Sequence, residues 1–162
     1  MKIAIISDSH DHIEPLDKVL DYLKKKKIQI LIHCGDVSTI DTLNYILRHF
    51  DGTMYLARGN ADNFQISKDK NNKLKLFDNL GRLVIEGKKI SFIHKIAEIK
   101  QADIKASDVV FYGHDHRPWM KLKDNTIIAN PGNCAGMSYM STFAVYDSKT
   151  NKIKLEIIDK LV

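Results

Sequence analysis

The order of apolar runs over residues 2 to 57 constrains this chain more than any other feature. Lys2 to Ser7 is Ile-rich and alternates little, as a strand buried on both faces would. Residues 13 to 27 place Ile13, Leu16, Val19, Leu20 and Leu23 at helical spacing. Pro15 falls in the first turn of that helix, where its missing N–H costs nothing. Gln29 to His33 reads as a second apolar strand closed by Gly35-Asp36. Thr39 to His49 fits a second helix, and Thr53 to Ala57 a third strand before the turn Arg58-Gly59-Asn60. This strand–helix alternation calls for a parallel sheet flanked by helices.

The rhythm changes after residue 62. Phe64 to Asn79 is polar, lysine-rich and weakly periodic, and reads as an excursion or mobile loop. Arg82 to Glu86 and Lys89 to His94 read as a hairpin around Gly87. A short helix from Ile96 to Ile104 and a strand from Val109 to Tyr112 follow. Strand-like runs come at Trp119 to Leu122, Thr126 to Ala129, Thr142 to Tyr146 and Lys152 to Ile158, with turns at Asp124-Asn125 and Asp147-Ser148. No repeat, low-complexity tract or linker divides the chain. Residues 1–162 are therefore expected to form one α/β domain, two packed sheets with helices outside.

Composition narrows the function classes. No stretch approaches the roughly 18 uncharged apolar residues of a membrane helix. Met1-Lys2-Ile3-Ala4-Ile5-Ile6 is too short for an export signal, so the expected compartment is the cytoplasm. Cys34 and Cys134 form no Cys-x-x-Cys pair and read as two small buried side chains. The net charge of +5 suits an acidic ligand but is dispersed along the chain. Lys24-Lys25-Lys26-Lys27 reads as a solvated helix end that complements the negative C-terminal dipole.

The chemistry lies where Asp, His and Asn fall relative to the strands. Asp8 and His10 follow the first strand, Asp36 the second and Asn60 the third. His94 closes a later strand, and His114 and His116 follow Val109 to Gly113. Ligand crevices in open α/β sheets form at the C-terminal strand edges, so these side chains are expected to converge. Asp8-x-His10 and His114-x-His116 would project to one side if the backbone is extended, so each pair could address one metal or two adjacent ones. Carboxylate oxygens with imidazole nitrogens suit Mn²⁺, Fe²⁺ or Zn²⁺. Two ions about 3.5–4 Å apart can hold a phosphate ester and activate a bridging water as nucleophile. One carboxylate must then lie between them, and Asp36 is the best placed.

Ser7-Asp8-Ser9-His10, Gly35-Asp36, Gly59-Asn60-Ala61-Asp62, the strand-end His94 and Gly113-His114-Asp115-His116 occur in the order seen in calcineurin-like metallophosphoesterases. Over residues 2 to about 147 the chain resembles the small single-domain prokaryotic branch, the YfcE-type phosphodiesterases. That resemblance implies a four-layer α/β/β/α sandwich of two mixed sheets flanked by helices. It implies Asp8, His10, Asp36 and His116 around one divalent ion, and Asp36, Asn60, His94 and His114 around the other. Mn²⁺ is the expected metal, with Fe²⁺, Ni²⁺ or Zn²⁺ as substitutes. Asp36, Asn60 and His114 are the expected catalytic residues, and the expected partner is a small phosphate ester hydrolysed by a metal-bridging hydroxide. A homo-oligomer is compatible with the resemblance.

Two other functions remain as alternatives. The retromer subunit that resembles these enzymes uses the fold as a protein-interaction scaffold, with a ligand histidine replaced; all seven positions here keep ligand-capable side chains. A nuclease would show a basic track beside the site, and the lysines here are scattered.

The chain departs from the family at several places. His94-Lys95 stands where His-Gly is usual, and Lys95 becomes a candidate to reach substrate phosphate. Ala61 replaces the histidine that many relatives carry after the metal-binding Asn as leaving-group acid. Asn130-Pro131-Gly132-Asn133 resembles an Asn-Pro-Gly-Ser turn but lacks the arginine often found shortly after it.

Other residues carry weaker readings. Asp8 alone would read as a helix cap, and Asp36 and Asn60 as turn residues. His94 alone would read as a core histidine. His33, on an apolar strand, reads as buried or as a hydrogen-bond partner behind the ligands, and His49 as exposed on a helix. His12 is a candidate to meet substrate, and Asp62 a candidate partner for a ligand histidine. Asp115 is expected to point away from its flanking histidines; Arg117 and Trp119 are candidates for the pocket mouth, with packing an equal alternative for Trp119.

Overall fold

The computed structural model describes residues 1–65 and 72–161. The first three strands, β1 (Lys2–Ile6), β2 (Ile30–His33) and β3 (Thr53–Ala57), alternate with α1 (Ile13–Lys25) and α2 (Ile40–His49). Then come β4 (Leu74–Phe77), β5 (Gly81–Ile85), β6 (Lys88–Ile93), α3 (Gln101–Lys105), β7 (Val109–Tyr112), β8 (Trp119–Lys123), β9 (Thr126–Asn130), β10 (Thr142–Asp147) and β11 (Lys152–Ile157).

A six-stranded sheet has the order β11-β10-β1-β2-β3-β4, and a five-stranded sheet the order β5-β6-β7-β9-β8. Both are mixed. β1 to β4 run parallel with β10 antiparallel to β1, while β6, β7 and β9 run parallel between antiparallel β5 and β8.

Three apolar clusters define four layers. Leu16, Val19, Leu20 and Leu23 of α1 and Leu43 and Ile46 of α2 pack on Ala4, Leu31 and Leu56 of the first sheet. Ile3, Ile5 and Ile32 meet Phe92, Val109 and Phe111 between the sheets. Ile104 of α3 packs with Val110, Tyr112 and Ile128 on the outer face of the second sheet. Each fully buried Leu, Ile or Phe among these contributes roughly 1.5–3 kcal/mol. Because β1 is covered on both faces, its run never alternates polar with apolar.

Two expectations are corrected. The loop expected over Phe64 to Asn79 contains β4, which pairs parallel with β3; its residues 66–71 lie outside the described ones. Only Leu74 and Leu76 alternate there, among lysines, and the pairing with β3 supplies what the local pattern lacks. The helix expected from Ile96 to Ile104 is a 3₁₀ turn at Ile96–Glu98 followed by α3. Ile99 and Lys100 are extended between them (ψ 134° and 146°), and Ile96 and Ile99 rest on the outer apolar cluster. Among the described residues, no helix is long and apolar enough to cross a membrane.

Candidate metal centre

The loops after β1, β2, β3, β6 and β7 meet at one end of the sandwich. Strand pairing continues past the strand ends there: Asp8 N–H donates to Gly35 O at 3.0 Å, His10 N–H to Asp36 O at 3.1 Å and Gly113 N–H to His94 O at 3.0 Å. Contacts also cross between sheets, His114 N–H donating to Asp8 Oδ2 at 3.1 Å.

The expectation that Asp8 and His10, and His114 and His116, lie on extended backbone is wrong. Asp8 (φ 53°), His10 (φ 42°), Asp36 (φ 59°), His114 (φ 71°) and His116 (φ 57°) are all left-handed. Such backbone costs roughly 1–2 kcal/mol per residue, so the surrounding hydrogen bonds must hold it. The consequence is a division of labour within a pair. His116 joins Asp8 and His10, whereas His114 joins Asp36 and His94, and within each trio the ligand atoms lie within 4.8 Å of one another.

The candidate ligand atoms crowd one another. His94 Nδ1 lies 2.8 Å from Cys34 O and donates to it, leaving the Nε2 lone pair of the neutral ring facing the site. That Nε2 is 3.2 Å from Asn60 Oδ1 and 3.3 Å from Asp36 Oδ2. His10 Nε2 stands 3.3 Å from His116 Nε2 and 3.7 Å from Asp36 Oδ2, and His116 Nε2 is 3.4 Å from Asp8 Oδ1. Asp36 Oδ2 therefore lies between the two groups. Lone pairs packed this closely need protons or cations between them. Burial disfavours charge on His94, but Asp36 more than offsets this and raises its pKa. Burial likewise pushes Asp36 up, yet His94 and the Ala61 N–H bring it down to about 2. Asp8, wholly buried, is held above its ordinary value chiefly by that burial. The donor set thus fits two divalent ions.

Three glycines make room for this crowding, and each immediately precedes a candidate ligand. A Cβ on Gly35 would come within 2.7 Å of His94 Nδ1. One on Gly59 would collide with Asp36 Oδ1, and one on Gly113 would strike Ser7 Oγ and approach Asp8 Oδ2 to 2.9 Å. The repeated Gly before Asp36, Asn60 and His114 was the sequence signal for this, and it is read only once the neighbours are known.

Asp62 does not bond a histidine. Its Oδ2 accepts from Asp36 N–H at 3.0 Å and Gly59 N–H at 2.8 Å, and its Oδ1 from Ser38 N–H at 2.9 Å. It ties the loops after β2 and β3 through backbone amides. His33 is fully buried; its Nδ1 accepts from Gly35 N–H at 3.1 Å, so Nε2–H donates to Ser9 Oγ at 3.0 Å. Burial holds it neutral, its pKa near 4. Asn130 and Asn133 donate to Gly113 O (3.2 Å) and His116 O (3.1 Å), clamping the loop after β7. Sequence reasoning missed that role.

Asp8 caps no helix; His12 occupies the N-cap of α1, exposed and without a side-chain capping bond. Lys95 is half-buried at φ −105°, backbone open to any L residue, so replacement of the usual glycine is tolerated there. His49 is exposed and stacks on Tyr45. Asp115, Arg117 and Trp119 line a cavity on the outer face of the second sheet. Cys34 and Cys134 are free and buried, and burial pushes Cys134 up to about 12 and Cys34 well up, which keeps both as unreactive thiols.

The chain matches the calcineurin-like phosphoesterase superfamily domain over residues 1–151 and belongs to that family of phosphoric ester hydrolases. It is 25% identical over 171 residues to the phosphodiesterase MJ0936 of Methanocaldococcus jannaschii, covering 98% of this chain and 100% of the relative. The solved structure of an archaeal phosphodiesterase superposes with a TM-score of 0.83 at 23% identity, covering 97% of this chain and 99% of that one. YfcE, a phosphoesterase of E. coli, gives a TM-score of 0.68 at 16% identity, with 98% and 100% covered. These structures share the two-sheet fold.

Proposed function

We propose that this chain is a phosphodiesterase dependent on two divalent ions, acting on small phosphate esters. Asp8, His10, Asp36 and His116 would hold one ion, and Asp36, Asn60, His94 and His114 the other. The observation that carries the reading is the convergence of imidazole nitrogens and carboxylate oxygens from five loops, with Asp36 Oδ2 central. The name of the M. jannaschii relative supports the diesterase assignment. Hard oxygen and imidazole donors favour Mn²⁺, with Fe²⁺, Ni²⁺ or Zn²⁺ as substitutes. When bound, such ions polarise the phosphoryl oxygens and supply a nucleophile from water.

This chain's own residues orient and neutralise. The Asn60 amide and the exposed His114 ring would donate to the phosphoryl oxygens as charge develops on them. Asp36 would hold the two ions in register, and His94 keeps its outward lone pair because Cys34 O fixes the tautomer. The test is elemental analysis after Mn²⁺ loading alongside hydrolysis of bis(p-nitrophenyl) phosphate. Two ions per chain with metal-dependent turnover is expected; no bound metal and full stability in chelator would overturn the reading in favour of a scaffold.

Ala61 contributes only its backbone N–H, which bonds Asp36 Oδ1 at 2.8 Å. No imidazole therefore stands there to protonate a departing oxygen, a service worth about 10²–10⁴-fold. Across substituted phenyl diesters, kcat/KM should depend steeply on leaving-group pKa, and Ala61→His should flatten the slope. A flat series in the unmodified protein would locate the acid elsewhere, with His12 the next to vary.

A further inference from the structure

A cavity of about 490 Å³ lies beside this centre, on the other side of the second sheet's rim. Asp115 and Arg117, which line it, alternate along the chain with His114 and His116. Ile96, also in its wall, is two residues past His94. Strand register places the rest. Lys121 pairs with Ile128, which belongs to the outer apolar cluster, so Lys121 and Trp119 share that outward face. Tyr112 and Ile128 form the apolar floor.

The wall combines an aromatic ring, two cations and a carboxylate. Trp119 is 50% exposed, with Lys121 Nζ 5.1 Å from its ring centroid. Arg117 adds a second cation, and among the described residues no carboxylate pairs with either of them. Asp115 offers a carboxylate that can accept from an amine or a hydroxyl. An aromatic platform suits a planar base, two cations suit a phosphate, and an acceptor suits an exocyclic amine or a ribose hydroxyl. A volume of this size is that of a small-ligand pocket.

We infer that this cavity binds a nucleoside-phosphate arm of the diester, making the substrate a small dinucleotide-type phosphodiester; the inference rests on the phosphodiesterase reading above. The scissile phosphate sits over the ligand clusters, and the neighbouring nucleoside reaches across the rim, its base on Trp119 and its further phosphate on Arg117 and Lys121. The loop after β7 thereby serves both functions, its histidines turned to the centre and its intervening residues to the arm.

Trp119 is the only tryptophan in the sequence, so its fluorescence reports this cavity directly. The experiment titrates AMP, adenosine and inorganic phosphate into the full chain with chelator present, so that binding does not require metal. AMP should change the emission saturably, more tightly than adenosine, with phosphate alone ineffective. Arg117→Ala and Lys121→Ala, both at exposed positions, should each weaken AMP about tenfold. No saturable change, or unaltered AMP affinity in both variants, would overturn the inference. Turnover of bis(p-nitrophenyl) phosphate on the same preparation separates the two ideas. Metal-dependent turnover without an AMP response removes only the pocket, and an AMP response without turnover removes only the phosphodiesterase reading.

Discussion

The two ligand trios differ in how firmly the protein holds them. Around Asp36, His94 and His114, buried His94 is locked by Cys34 O and Asp36 by the Ala61 N–H, with Asp62 binding the backbone of the same loops. Around Asp8, His10 and His116, the carboxylate is buried but the two rings are about one-fifth exposed. Their Nε2 atoms face each other, and His10 has one longer contact, Nδ1 to Ser38 Oγ at 3.3 Å. In the inner trio Asp36 and His94 are held by hydrogen bonds that need no ion, while the His114 ring is exposed. The outer trio has no comparable set of side-chain anchors for its two rings. A site built this way should fill unequally, the inner position first.

Asp36, whose Oδ2 lies between the two trios, gives the largest expected effect. Asp36→Asn should lower kcat roughly 10³-fold at saturating metal, and His94→Ala about 10²-fold, since only the first weakens both positions. Both variants are to be compared after thermal melting has verified folding. Equal residual rates would end the idea of a shared carboxylate.

The glycines allow each trio to be disturbed separately. Gly113→Ala crowds Asp8, so its metal content should fall toward one ion per chain with activity down about a hundredfold. Gly59→Ala crowds Asp36 and should empty both positions. Metal analysis showing the reverse pattern would break the assignment of trios.

A smaller effect is expected at Asp62, which touches no ligand side chain. An Asn there can accept through only one of its two terminal atoms, so Asp62→Asn leaves a backbone N–H of the inner trio's loops unpaired. Stability should drop by about 1–3 kcal/mol in urea unfolding. Activity should fall about 10–100-fold, with affinity for the inner ion lost before the outer. Unchanged metal affinity would mean that the inner trio is not organised by this carboxylate.

The smallest effect comes from His33, beneath both trios. Its folded pKa near 4 lies below the ordinary 6.5, so the unfolded chain takes up the proton first. Stability therefore falls as pH drops below 6.5 and levels off near 4. The loss between pH 6.5 and 5.5 should be about 1 kcal/mol. NMR titration of the imidazole should give a midpoint well under 6.5; a midpoint at the ordinary value would show the ring is not sealed between Ser9 and Gly35.

Much of this molecule was legible in its residues because the signals were local. Unbroken Ile and Leu in β1 and β2 mark strands covered on both sides, and Leu16, Val19 and Leu23 mark the buried stripe of α1. The seven candidate ligands stood out because Asp, His and Asn at strand ends have few other uses in that density. β4 escaped because Leu74 and Leu76 acquire meaning only beside β3. The break at Ile99 escaped because helical spacing of apolar residues cannot tell a continuous helix from two short pieces resting on one surface.

The resemblance already implied that His114 and His116 serve different ions; the backbone that sends them there was decided by tertiary structure. Two-residue spacing, on the premise of extended backbone, put His114 and His116 on one side and left open whether they address one metal or two adjacent ones. Left-handed backbone at both, held by Asn130, Asn133 and the Asp8 carboxylate, sends them to different trios. A dihedral sign is set by the bonds that offset its cost, and those bonds come from strands distant in sequence. Residue type thus carried the chemistry of the site, while its geometry waited on contacts that no local pattern encodes.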